Sequence, residues 1–125
     1  MVMLDTNILV AVSKQQFNPA TLGQHYEVVL TSVVCWAEAM GFTFPNLAEQ
    51  GRMELFLRGL EARPFTMKEA EFVVRYRLHP QRKIKLPDAA ILATARAADA
   101  DLLTQNLADF QGLDAQVRLL SLADL

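Results

Sequence analysis

Short extended-type segments alternate along this chain with longer stretches of helical character. Strands are expected at Val2–Leu4, Glu27–Leu30, Ala62–Phe65, Asp101–Thr104 and Val117–Leu120. Helices are expected at Asn7–Val12, Val33–Phe42, Leu47–Leu60, Glu69–Leu78 and Leu86–Ala100. Strands this short, joined through helices, run parallel and are buried on both faces. The fold class is therefore α/β, with a central, mostly parallel sheet covered on both faces. In such folds ligands bind beyond the carboxyl ends of the strands, at the point where the strand order reverses.

Local chemistry agrees with these elements. Thr31 or Ser32 can cap the helix after the second strand, and Gly41 stands near its end. Pro45–Asn46 marks a break, Thr66 caps the next helix, and Pro87 suits the start of Leu86–Ala100. His79–Lys85 reads as a polar, basic loop, and Ser121 as the cap of a last turn. No Ser/Gly-rich linker interrupts the 125 residues, so residues 1–125 are expected to form a single domain.

Composition narrows the function. Hydrophobic residues make up 52%, which excludes a disordered chain. A net charge of −2 excludes a protein that coats nucleic acid by bulk charge, though not one with a local basic surface. The lone Cys35 allows no internal disulfide and reads as a small buried side chain. His25 and His79 match no zinc-ligand spacing. The apolar N-terminus is interrupted by Asp5 and preceded by no basic region, so a signal peptide is not expected. No stretch reaches the roughly 20 apolar residues of a membrane span. A reducing, cytoplasmic setting follows as the expectation.

Most of the 14 acids have polar neighbours and read as solvated, among them Glu49, Glu54, Glu61, Glu69 and Glu71 on charged helix faces. Three differ: Asp5 in MVMLDTNILV, Glu38 in VVCWAEAMGF and Asp88 in LPDAAILATA. Each lies in a segment expected to be mostly buried, with no adjacent Lys or Arg. An unpaired buried carboxylate costs several kcal/mol. A helix N-terminus can help Asp88 and is an option for Asp5, but Glu38 lies too far into its helix for capping. A bound divalent cation would satisfy all three, and oxygen-only ligands point to Mg²⁺ or Mn²⁺. A fourth polar cluster, Thr104, Asn106 and Asp109 in LLTQNLADF, follows the Leu102–Leu103 strand. Turn chemistry is its ordinary alternative.

At these residues the sequence resembles the PIN-domain family, and most of all its VapC-type toxin ribonucleases. The matching pieces are MLDTNILV at 3–10, TSVVCWAEAMGF at 31–42, LPDAAILATA at 86–95 and LLTQNLADF at 102–110. They stand in the family's order and span the chain. The resemblance implies a three-layer α/β/α PIN-like fold with a central, mostly parallel sheet, and an endoribonuclease that hydrolyses RNA phosphodiesters with Mg²⁺ or Mn²⁺. It also implies an antitoxin partner, a homodimer, and products with a 5′-phosphate and a 3′-hydroxyl. Carried over, Asp5, Glu38 and Asp88 match the three main acids. Asn106 stands where many members carry Asp, and Asp109 is the alternative source of that charge. Gln105 stands where toxins often carry Arg. In this reading Asp5 and Asp88 hold the ion directly, with Glu38 and Asp109 through water or a second ion. Thr6, Asn7, Thr104 and Asn106 bond the phosphate or the acids. The competing reading is a PIN domain that binds RNA or protein without cutting. An aspartyl phosphatase is disfavoured, because Asn7 stands where its second Asp belongs.

RNA needs positive charge, and Arg75, Arg77, Arg82, Lys83 and Lys85 place five of 12 basic residues just before Asp88. Arg82, Lys83 and Lys85 are the candidate RNA contacts. Trp36 reads as core. The segment Phe42–Leu60 carries enough apolar residues to supply a partner groove or a dimer face.

Overall fold

The computed structural model describes residues 1–125. Val2, Met3 and Leu4 are wholly buried, and they form β1 at the centre of a five-stranded parallel sheet. Around it lie β2 (Val29–Ser32), β3 (Glu61–Arg63), β4 (Asp101–Leu103) and β5 (Leu119–Leu120), in the order β3-β2-β1-β4-β5. Val2 pairs with Val29 on one side and with Asp101 on the other. The connecting helices are α1 (Thr6–Ser13), α2 (Val33–Met40), α3 (Leu47–Arg58), α4 (Met67–Arg77) and α5 (Leu86–Ala98). One cluster of 25 buried residues runs through sheet and helices. The α5 segment contributes seven successive buried residues, Ala89–Ala95, so this Ala-rich helix packs on nearly all sides. No helix is long and apolar enough to cross a membrane.

Each helix starts on a side-chain or proline signal. Asp5 accepts the Thr6 amide, Ser32 the Cys35 amide and Asn46 the Glu49 amide. The α4 helix opens on a capping box, in which Glu69 accepts from the Thr66 amide and hydroxyl. Pro87 sits in the first turn of α5, and Asp99 ends that helix in the left-handed region at φ 54°.

Several boundaries depart from the sequence expectation. β2 begins at Val29 rather than Glu27, because the β1 register pairs Val29–Thr31 with Val2–Leu4. Thr31 is therefore a strand residue whose hydroxyl bonds the Leu4 carbonyl, and Ser32 alone caps α2. β3 ends before Pro64, which has no N–H to offer a ladder. β5 is shorter than expected, because the Val117 amide turns back to the Asp114 carbonyl. A 3-10 helix at Pro19–Gln24, begun by Asn18 accepting the Ala20 amide, was not foreseen. Two side chains also differ. Trp36 is 44% exposed rather than core, since α2 buries only Cys35 and Ala39. Glu69 is buried by its capping role, not solvated, and Glu61 lies on a strand.

Candidate active site

The strand order reverses at β1, so the switch point lies between the carboxyl ends of β1 and β4. Asp5 follows β1 and Thr104 follows β4, and their side chains meet there. Thr104 Oγ1 donates to Asp5 Oδ2 at 2.7 Å. The same hydroxyl accepts from Asn7 Nδ2 at 3.3 Å and from the Asn106 amide at 3.0 Å. One donor and two acceptor positions are thus all used. Asn7 Nδ2 also reaches Asp5 Oδ2 at 3.3 Å, and Asn7 Oδ1 accepts the Gln105 amide at 3.1 Å. The Thr6 amide donates to Asp5 Oδ1 at 2.7 Å. Asp5 is buried and held at both oxygens.

β2 lies on the other flank of β1 and leads through Ser32 into α2. Glu38 projects from that helix, and Thr6 Oγ1 donates to its Oε1 at 2.6 Å. Glu38 is exposed rather than buried as its apolar neighbours suggested, because it lies off the Cys35–Ala39 face. Asp88 sits half-buried in the first turn of α5, and Asp109 ends a 3-10 turn, Leu107–Asp109, beyond β4. A cleft of about 200 Å³ is lined by both, together with Arg82, Lys83 and Lys85 and the walls Ile84 and Ala108. Arg82 Nη2 donates to the Ala108 carbonyl at 2.8 Å.

Asp5 and Asp88 feel the charges of neighbouring acids. Burial pushes the Asp88 carboxyl up, and the charges of Asp5, Asp109 and Glu38 push it further, with Lys85 opposing. Burial raises Asp5 as well. The Thr104 and Thr6 bonds oppose that rise, and Glu38 and Asp109 add to it. All these donors are hard oxygens, the type a divalent cation of the Mg²⁺ class accepts. As they stand, no group of three or more His, Cys, Asp or Glu side chains is arranged to hold an ion. The donor chemistry of the four carboxylates fits a hard divalent cation.

The residues expected at the site therefore fall into two adjoining groups. Asp5, Thr6, Asn7, Glu38, Thr104 and the Asn106 backbone form one hydrogen-bonded network. Asp88, Asp109, Arg82, Lys83 and Lys85 line the neighbouring cleft. Asn106 contributes its amide, whereas the Asp109 side chain lines the cleft. Ile84, Ala108 and the Gln105 amide also take part but were not foreseen. They act through apolar packing or main-chain atoms, which leave no signal in residue type.

A five-stranded parallel sheet flanked by helices, with Asp5 at its switch point and Glu38, Asp88 and Asp109 on the segments around it, defines an α/β domain with an acidic edge. More particularly, the chain belongs to the PIN domain family, whose profile matches residues 2–115. Solved structures share the fold over nearly the whole chain. A chain of VapBC2 from Rickettsia felis, bound to a DNA fragment from their promoter, is 23% identical with a TM-score of 0.79, covering 97% of this chain and 98% of that one. A chain of a toxin–antitoxin complex from Klebsiella pneumoniae is 30% identical with a TM-score of 0.73, covering 94% and 95%. A chain of DNA-bound VapBC from Salmonella typhimurium is 20% identical with a TM-score of 0.79, covering 96% of each. No curated protein sequence matches.

Proposed function

We propose that this PIN domain is a metal-dependent endoribonuclease of the VapC type, acting as the toxin of a toxin–antitoxin pair. One observation carries the reading: Asp5, Glu38, Asp88 and Asp109, from four separate segments, load one sheet edge with negative charge. Such crowding destabilises a fold unless a cation offsets it. Asp5 and Asp88 would hold Mg²⁺ or Mn²⁺, with Glu38 and Asp109 engaging it through water. Bound there, the ion supplies Lewis-acid polarisation of a phosphoryl oxygen and an acidified water.

The chain's own residues do the rest. Thr104, Asn7 and the Thr6 amide fix the Asp5 carboxylate. Thr6 holds Glu38 by Oε1 and leaves Oε2 free to take the proton of the attacking water. Lys83 and Lys85 draw the phosphate backbone to the cleft, with Arg82 at its rim. Hydrolysis leaves a 5′-phosphate and a 3′-hydroxyl. The Klebsiella and VapBC neighbours, solved as complexes, support a cognate antitoxin as partner, and a homodimeric state is part of the same proposal. Cellular RNA as substrate places its action in the cytoplasm.

The test is cleavage of a mixed cellular RNA pool in Mn²⁺, in Mg²⁺ and in EDTA. Metal-dependent cuts that vanish on chelation and in Asp88→Asn are expected. A second reading, a PIN module that binds RNA or protein without cutting, is favoured by the lack of a ready-made three-acid ligand group. RNA binding that survives EDTA, with no cleavage in either metal, would select it.

A further inference from the structure

We propose that Arg82 is a positioning residue. Its guanidinium ties the basic loop 79–85 to the turn that carries Asp109, so that Asp109 and Asp88 face one cleft. Lys83 and Lys85, rather than Arg82, then meet the RNA phosphates. The catalytic consequence rests on the nuclease reading above; the tie itself does not.

The 3-10 turn Leu107–Asp109 is lightly held. The Asn106 side chain makes no cap bond to it. Its backbone bonds run from Asp109 to Asn106 and from Phe110 and Gln111 to Leu107, and none uses the Ala108 carbonyl. Arg82 Nη2 supplies that missing partner at 2.8 Å. Each segment also has one apolar anchor: Ile84 for the loop, 8% exposed, and Phe110 for the turn, 1% exposed. The Arg82 bond joins the two segments at positions two residues before each anchor, on the residue next to Asp109. The three basic residues differ in kind. Arg82 is half-buried and makes this bond, whereas Lys83 and Lys85 are exposed. A guanidinium spent on a main-chain carbonyl is a planar, pre-organised clamp. An exposed ammonium on the cleft wall is a mobile point charge suited to a phosphate.

The experiment compares Arg82→Ala, Arg82→Lys and Lys83→Ala with the wild type. Amide hydrogen exchange is measured first, in EDTA without RNA. The bond is solvent-exposed, so it is worth about a threefold change in local opening. Exchange at the bonded amides Asp109–Gln111 should accelerate about threefold in Arg82→Ala, less in Arg82→Lys, which retains a donor, and not in Lys83→Ala. RNA binding is measured next against salt. Lys83→Ala should flatten the slope by about 0.7, one single-strand phosphate contact, and Arg82→Ala by less than half as much. In turnover, Arg82→Ala should lower kcat with KM little changed, and Lys83→Ala should raise KM. Unchanged exchange in Arg82→Ala, or a slope loss equal to that of Lys83→Ala, overturns the proposal. If the wild type cuts no RNA, the nuclease reading fails, and the exchange result alone decides the tie.

Discussion

Thr104 and Asp5 stand 99 residues apart in the chain, yet the Thr104 hydroxyl donates to Asp5 Oδ2 at 2.7 Å across the seam between β4 and β1. Both side chains are buried, so no water replaces the bond easily. Thr104→Val keeps the shape and removes the hydroxyl. It strips Asp5 of a donor, leaves the Asn106 amide without its acceptor, and leaves Asn7 Nδ2 with Asp5 Oδ2 alone. A buried bond to a charged group is worth about 1.5–3 kcal/mol, so a loss of about 2–3 kcal/mol is expected at pH 7. Thr104→Ser keeps the hydroxyl and should lose only about 1 kcal/mol for the buried methyl. Urea unfolding of the two variants reads the difference, and equal losses would show that packing, not the bond, matters.

Thr6 links the same carboxylate group to α2 by a bond of a different kind. Its hydroxyl meets Glu38 at 2.6 Å in an exposed setting. Exposed polar contacts contribute little stability, so Thr6→Val should cost at most about 1 kcal/mol. RNA cleavage should fall much further, about tenfold or more, because a free Glu38 no longer presents its second oxygen to the attacking water. Thr6→Ser should restore most of it. A Thr6→Val enzyme cutting at the wild-type rate would remove Glu38 orientation from the mechanism.

The centre of the sheet was legible because β1, β2 and most of β4 are short apolar runs, whereas β3 is the polar Glu61–Arg63. Thr66 and Pro87 mark helix starts that the sequence displays openly, whereas Ser32 competed with Thr31 and Asn46 read only as a break. Strand register was not legible, because Glu27–Leu30 and Val29–Ser32 are equally plausible until β1 chooses between them. The acids could be picked out by their apolar neighbours, but the reason differed from case to case. Asp5 is buried as that context implied, whereas Glu38 sits on the open side of α2. An eight-residue helix with two buried positions leaves room for apolar residues such as Trp36 outside the core. The Arg82–Ala108 tie had no sequence signal at all, since any residue offers a carbonyl.

Away from the acid site, Asp114 joins the C-terminal loop to α4 and α5. Tyr76 donates to it at 2.5 Å, and Arg96 Nη1 at 2.9 and 3.0 Å, while Arg96 lies 4.9 Å from the Phe72 ring centre. Burial pushes the Asp114 carboxyl up, but the bonds from Tyr76, the Gln116 amide and Arg96 outweigh it, and the net direction is below its ordinary 3.8. A lowered folded value favours the charged form in the fold. The stabilisation is therefore complete above about pH 4 and lost as pH falls through the folded value. Asp114→Ala strands Arg96 and the Tyr76 hydroxyl and should cost about 2–3 kcal/mol at pH 7, since breaking a buried pair is expensive. The deficit should shrink on acidification below pH 4. A deficit independent of pH in urea titrations would assign the effect to packing alone.

Asp88 has the opposite sign. Burial and the charges of Asp5, Asp109 and Glu38 hold its carboxyl above the ordinary 3.8. The fold therefore disfavours the ionised form. The cost is absent below about pH 3.8, grows as pH rises toward the folded value, and is fully present above it. Asp88→Asn removes that charge, so in EDTA at pH 7 the variant should melt a few degrees above the wild type, at about 4 °C per kcal/mol. The gain should disappear near pH 3. Added Mn²⁺ should reverse the ranking. A ligand at 100 times its Kd adds about 2.7 kcal/mol to the folded state, and only the wild type retains the direct ligand. Thermal melts of both proteins, with and without metal, need no knowledge of the RNA target. A variant that melts below the wild type in EDTA at pH 7 would mean that Asp88 is a structural cap at the start of α5 rather than a member of a repelling acid cluster.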